Sequence, residues 1–173
     1  MSIAQTLNAM DELNARQALM NCCAAYAWVE GMLSRRLFSD DAAVFAAAAQ
    51  IFETLDEADW LEAFAAHPLI GDVETLRKKY ATTKGLAAGE QSGVSGASDD
   101  TLSELARLNR QYAERFGFIF IVFATGKTAD EMLGLLKRRI GNSREEELKN
   151  AAAEHLKITQ LRLQKLAADG EAS

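Results

Sequence analysis

One proline, two cysteines and two histidines are all that this chain of 173 residues holds of three chemically distinctive residue types, and each shortage excludes something. With a single proline, little interrupts helix. Alanine runs such as Ala46-Ala47-Ala48-Ala49 and Ala151-Ala152-Ala153 favour helix, because alanine has no side-chain entropy to lose there. Cys22 and Cys23 are adjacent, which fits neither a CxxC redox pair nor a zinc knuckle. They read as small core residues, and without a disulfide scaffold a reducing cytosol is the default compartment. His67 and His155 lie far apart, with no HxH or HExxH spacing and hence no zinc signature.

Positive charge is also short: 19 Lys and Arg against 25 Asp and Glu leave a net charge of −6. That argues against nucleic acid as a partner, since phosphate contacts need clustered cations. The basic clusters Arg77-Lys78-Lys79 and Lys137-Arg138-Arg139 are short and read as exposed or terminal helix turns. The longest apolar stretch, residues 116–125, falls short of the ~18 residues a membrane span requires. No signal sequence opens the chain, and Gly-Glu-Ala-Ser at its end is not a peroxisomal tripeptide. The expectation is a cytoplasmic protein without membrane or nucleic-acid partners.

What is present is a 49% hydrophobic, 25% charged chain of one-domain size, able to bury a core without staples. The patterning predicts an all-α fold: a single compact helical domain spanning residues 1–173, with about seven to nine helices. Residues 20–33 follow a 3.6-residue period and predict one helix. Asp40 and Asp41 cap the next, which runs through the alanines towards Leu55. The stretch Asp56 to Asp59 caps a short third helix ending at residues 64–66. His67-Pro68 then forces a change, because the residue before proline is pushed out of the α region, so His67 sits at a helix end. Residues 82–100, with Gly85, Gly89, Gly93 and Gly96, are too glycine-rich for a helix throughout and predict a functional loop. A long helix follows from Asp99 through Phe116. Residues 118–123 have strand propensity but no partner strand, and read as a buried connector or the start of the next helix. Helices over about residues 129–140 and 144–168 close the chain, the latter with an apolar stripe at Leu148, Ala152, His155, Leu156, Leu161 and Leu166.

Few residues offer chemistry. His155 lies on an apolar stripe and reads as a core histidine. His67 is open between a structural turn and a general acid/base, since imidazole titrates near neutrality. Glu90-Gln91 reads as a solvated loop pair, or as a carboxylate and carboxamide that hold a polar heterocycle and move a proton. Gly126-Lys127-Thr128 mimics a phosphate loop, but Ile121 occupies the place of the required glycine. Thr128 with Glu131 makes a capping box instead. No GxSxG elbow is present, and nucleophilic catalysis has little support.

Several stretches in combination resemble the OHCU (2-oxo-4-hydroxy-4-carboxy-5-ureidoimidazoline) decarboxylase family. They are His67-Pro68-Leu69-Ile70-Gly71-Asp72, Glu90-Gln91-Ser92-Gly93 and Phe116-Gly117-Phe118-Ile119-Phe120-Ile121-Val122. Arg138-Arg139-Ile140, Glu145-Glu146-Glu147-Leu148 and residues 157–163 extend the likeness over nearly the whole chain. The resemblance implies an all-helical homodimer needing no cofactor, which decarboxylates OHCU to (S)-allantoin in urate breakdown. It implies that His67 and Glu90 are catalytic and that Gln91 hydrogen-bonds the substrate. It implies that Pro68, Ala87, Phe118, Ile119, Phe120, Ile121 and Val122 line the substrate site. Ala87 stands where some relatives carry serine, and Ala124 and Thr125 stand where some carry arginine. The substrate's carboxylate or ureido group would then be held by backbone amides or by Lys127. The chain looks like the stand-alone form of a family that also occurs fused to a hydroxyisourate hydrolase. Two other readings remain open at this stage: a non-enzymatic helical interaction module, and a different cofactor-free lyase using the same His/Glu pair.

Overall fold

The computed structural model describes residues 1–87 and 98–172, and the side chains of 1–80 and 98–167. Nine α-helices make up the described secondary structure: α1 (Ile3–Ala9), α2 (Glu12–Cys22), α3 (Tyr26–Ser34), α4 (Asp41–Thr54), α5 (Glu57–Ala65), α6 (Val73–Ala87), α7 (Asp99–Phe116), α8 (Ala129–Arg139) and α9 (Arg144–Ala172). The all-α expectation holds. Eight helix starts are set by a side-chain oxygen accepting from the amide three residues on, which satisfies an orphan donor of the first turn. The caps are Ser2, Asp11, Asp40, Asp56, Asp72, Ser98, Thr128 and Ser143. Asp40, Asp56 and Thr128 were legible as caps in advance.

Two expectations need correction. Residues 20–33 are not one helix: α2 ends at Cys22 and α3 begins at Tyr26. Cys23 and Ala25 between them are extended and wholly buried. No glycine or proline marks this break, so the burial of these two residues, not local propensity, puts it there. Residues 82–87, read as irregular, are the last turns of α6. Asp72 starts that helix by accepting from the Thr75 amide at 2.8 Å and the Thr75 hydroxyl at 2.7 Å.

The helices form two compact units. The first comprises Met1–Ala66 with α9 from Ala152 onward. At its centre Trp28 is fully buried and donates its indole N–H to the Ala48 carbonyl at 3.1 Å. His155, also fully buried, stacks on Phe52 with ring centroids 5.5 Å apart, and its Nδ1 meets the Thr159 hydroxyl at 3.2 Å. It is a core histidine, as its place on a helical stripe suggests. The buried face of α9 is nevertheless rotated from the leucines expected to define it. Glu147, Ala151, Ala152, His155, Thr159 and Leu163 are buried, while Leu148, Leu156, Leu161 and Leu166 are partly exposed. Three polar residues thus occupy the inner face of one helix.

Cys22 and Cys23 are at most 1% exposed, and burial pushes their thiols up to about 12 and about 11. Since only the thiolate attacks, neither should react with an aromatic disulfide reagent at pH 8 until urea unfolds the chain. A thiol titrating within minutes in the native protein would contradict this packing.

Candidate functional site

The second unit covers the described residues of His67–Ala151 and holds every described residue named above as a site candidate. His67 stands two residues beyond the end of α5, half-buried, and the Pro68 restraint keeps it out of helix as expected. The turn that follows docks on α7. The Arg110 guanidinium donates to the Gly71 carbonyl. A Cβ at position 71 would lie 2.9 Å from Arg110 Cγ, so this close approach requires glycine. Asp72 then caps α6, and the Thr75 hydroxyl and amide hold its carboxyl below the usual carboxylate range. The turn carrying His67 is therefore pinned at Gly71 and again at Asp72. Pro68 and Leu69 are exposed beside it. Ala87 ends α6, and Glu90 and Gln91 lie outside the described residues.

The other candidate segment leaves the far end of α7. Gly117 adopts φ +81°, and its amide closes the helix onto Ala113 at 2.9 Å, the left-handed cap that favours glycine. Residue 116 lies about 9 Å along the helix axis from residue 110, so one rigid element carries both candidate segments. Residues 118–122 then run as an irregular connector, neither strand nor helix. Phe118 and Ile121 are 6% and 3% exposed, whereas Ile119, Phe120 and Val122 are partly exposed.

Backbone hydrogen bonding along this connector is lopsided. Among the described residues, the amides of Ile119, Phe120, Ile121 and Val122 find no acceptor, although the Ile121 carbonyl accepts from Arg139 Nη1 at 2.7 Å. Of the four residues Ile121 alone is buried, and a buried amide left unpaired costs about 1–3 kcal/mol. A run of free donors beside an apolar surface is suited to a polar ring with carbonyl oxygens. Lys127, a candidate for the substrate's carboxylate, instead donates to the Phe123 carbonyl at 2.7 Å and lies over that residue's ring.

Behind the connector lies a polar cluster that sequence reasoning missed. Glu147, in the first turn of α9, is fully buried. Its Oε1 accepts from the Tyr112 hydroxyl at 2.6 Å and Arg139 Nε at 2.8 Å; its Oε2 accepts from Asn142 at 2.9 Å and Asn150 at 2.7 Å. Burial by itself would raise this carboxyl's pKa. The hydrogen bonds from Tyr112, Asn142 and Asn150, with the Arg139 charge, outweigh it and hold the group below its usual value. Burial and the bond to Glu147 push the Tyr112 phenol well above its ordinary range. Its ring is the hub of an aromatic cluster, 4.5 Å from Phe116, 5.3 Å from Phe120 and 6.0 Å from Phe118. Arg139 spans the two parts, its guanidinium lying 4.7 Å over the Phe120 ring. The basic cluster read as an exposed or terminal helix turn is the last turn of α8, where Lys137 and Arg138 are exposed but the Arg139 side chain is only 11% exposed.

A shallow cleft of about 610 Å³ in the first unit is lined by Ser2, Asn8, Phe38, Asp40 and Asp41 among others. Its polar side chains are engaged as caps or backbone clamps: Asp41 accepts from the Ala4 amide, and Asn8 bonds both amide and carbonyl of Phe38. It is structural. No group of three or more His, Cys, Asp or Glu that could hold a metal ion occurs among the described residues, and none of the described helices is long and apolar enough to cross a membrane.

Comparison with known proteins bears on the same segments. The profile of the OHCU decarboxylase family matches residues 8–164. The uric acid degradation bifunctional protein TTL of Arabidopsis thaliana is 36% identical over 148 residues, which are 86% of this chain and 46% of the plant protein. The chain thus spans less than half the length of that relative. The 2-oxo-4-hydroxy-4-carboxy-5-ureidoimidazoline decarboxylase of Haloferax volcanii is 28% identical over 160 residues, 92% of each protein. A crystal structure of OHCU decarboxylase in the presence of (S)-allantoin superposes with a TM-score of 0.69 at 35% identity, covering 85% of this chain and 94% of that one. With the family profile spanning the turn at His67, the connector and the Glu147 cluster alike, the chain belongs to the OHCU decarboxylase family.

Proposed function

We propose that this protein decarboxylates OHCU to (S)-allantoin and CO2 during urate breakdown. The observation that carries the reading is the likeness, over 85% of this chain and 94% of the other, to an OHCU decarboxylase solved in the presence of (S)-allantoin. In the reaction the C4–carboxylate bond breaks and its electron pair forms a C4=C5 double bond. The ring C5=N π pair moves to nitrogen, so the substrate supplies its own electron sink and no cofactor is required. Protonation of one face of the resulting enol at C5, with return of the C4 carbonyl, gives the (S) product.

In this reading His67 bonds the C4 hydroxyl and orients the carboxylate. Glu90 fixes the imidazole or shares its proton, and Gln91 holds the ureido group. The free amides of residues 119–122 take the ring oxygens, and the apolar faces of Phe118 and Ile121 favour loss of charge as CO2 departs. Pro68 and Ala87 complete the lining. We further propose that the whole chain acts as one catalytic domain, as a homodimer in the cytoplasm, a compartment compatible with its two free, buried thiols.

Circular dichroism during urate oxidation tests this, with urate oxidase and hydroxyisourate hydrolase generating fresh OHCU. The expected result is a rapid (S)-allantoin signal that appears only when this protein is added. Slow decay to racemate, unchanged by the protein, would sink the proposal and favour a helical interaction module.

A further inference from the structure

We infer that Arg139, held by Glu147, is a positioning residue that aims the free amides of residues 119–122 at the substrate ring. Three contacts define the role. Arg139 Nη1 takes the Ile121 carbonyl at 2.7 Å, its guanidinium face covers the Phe120 ring at 4.7 Å, and its Nε is anchored on the buried Glu147 at 2.8 Å. A peptide whose carbonyl is fixed on one side presents the following amide, here that of Val122, on the other, because the unit is planar. Among the described residues Arg139 makes the one hydrogen bond to the backbone of 119–122. The connector has neither a helix nor a sheet partner to fix its direction, so its orientation depends on this side chain. Glu147 in turn is immobilised by Tyr112, Asn142 and Asn150. The planar fork of arginine makes these contacts together, whereas an ammonium is a point charge that reaches one at a time.

The inference rests on the decarboxylase reading for the identity of the ligand, but not for the state of the connector. Arg139→Lys keeps the positive charge beside Glu147 and gives up the fork. Because the amides bind the ring in ground and transition states alike, KM for OHCU and the dissociation constant for (S)-allantoin should each rise about 10-fold or more. The kcat and its pH profile, set by His67, should stay within about three-fold. In parallel, hydrogen–deuterium exchange of peptides covering 119–122 should accelerate in the variant, with exchange over α7 unchanged. Unaltered KM, affinity and exchange would overturn the proposal, as would a fall in kcat alone. Should Arg139→Lys lose its helical far-ultraviolet signal, Asn150→Ala carries the same test. It removes one of the two donors to Glu147 Oε2 while leaving Arg139 intact, and a KM rise of about three-fold with faster exchange at 119–122 is expected; no change in either overturns the idea. If the wild type fails to turn over OHCU, the function falls, and the exchange comparison still decides whether Arg139 orders the connector.

Discussion

A His67→Ala protein is expected to convert OHCU at least ~10²–10⁴-fold more slowly than the wild type, the usual loss for an acid/base group, with KM little changed. The expectation follows from position as much as from chemistry. His67 lies past the end of α5, where Pro68 bars helix, on a turn clamped by Arg110 at Gly71 and by the Asp72 cap. Truncating the imidazole removes a half-buried ring without disturbing those restraints, so the thermal midpoint should move little. Single-turnover rates from enzymatically generated OHCU, read by the optical activity of (S)-allantoin, provide the measurement. Near-native turnover in His67→Ala would remove the residue from the mechanism. A lost signal together with a collapsed midpoint would mean that the ring is structural.

The second large effect concerns stability. Glu147→Gln should destabilise the fold by about 3–5 kcal/mol, the range for breaking a buried ion pair from one side. Arg139 would lose its counter-charge, and an amide NH2 would be turned towards the Asn142 and Asn150 donors or the Tyr112 hydroxyl. In urea unfolding, the exposed neighbour Glu146→Gln is the control and should stay within about 0.5 kcal/mol. The pH dependence has a definite sign. The folded state holds the Glu147 carboxyl below its ordinary value, so the native protein binds fewer protons than the unfolded chain between the two values. That stabilisation is present in full above the ordinary glutamate value near ~4.3 and is lost as pH falls through the folded value. The gap between wild type and Glu147→Gln should therefore narrow as pH drops below about 4. A gap under about 1 kcal/mol at pH 7 would deny Glu147 this role.

Much of the helical scaffold could be read from short-range chemistry. Asp40, Asp56 and Thr128 cap where their residue types say they should, because a cap is an interaction over three residues. Gly117 ends α7 for an equally local reason, a positive φ. The α2–α3 break was not legible, since Cys23 and Ala25 carry no signal of their own and are extended only in the buried setting they occupy. Glu147 was hidden for the opposite reason. It sits in the run Glu145-Glu146-Glu147, which reads as a solvated first turn favoured by the helix dipole. Only the spacing Glu147, Ala151, His155, Thr159, Leu163 hinted that the inner face of α9 passes through it.

By itself the sequence determined the helical class, the helix starts at Asp40, Asp56 and Thr128, the unusual placement of His67 before proline and the family motifs, which rest largely on neighbours within a few residues. Tertiary structure decided which of three consecutive glutamates is buried and which of three consecutive basic residues turns inward. It also decided that, among the described residues, the amides of 119–122 meet no acceptor while Arg139 holds a carbonyl. A charge can be buried only where partners from other helices replace its water, and here Tyr112 of α7 and Arg139 of α8 supply that replacement for Glu147 of α9.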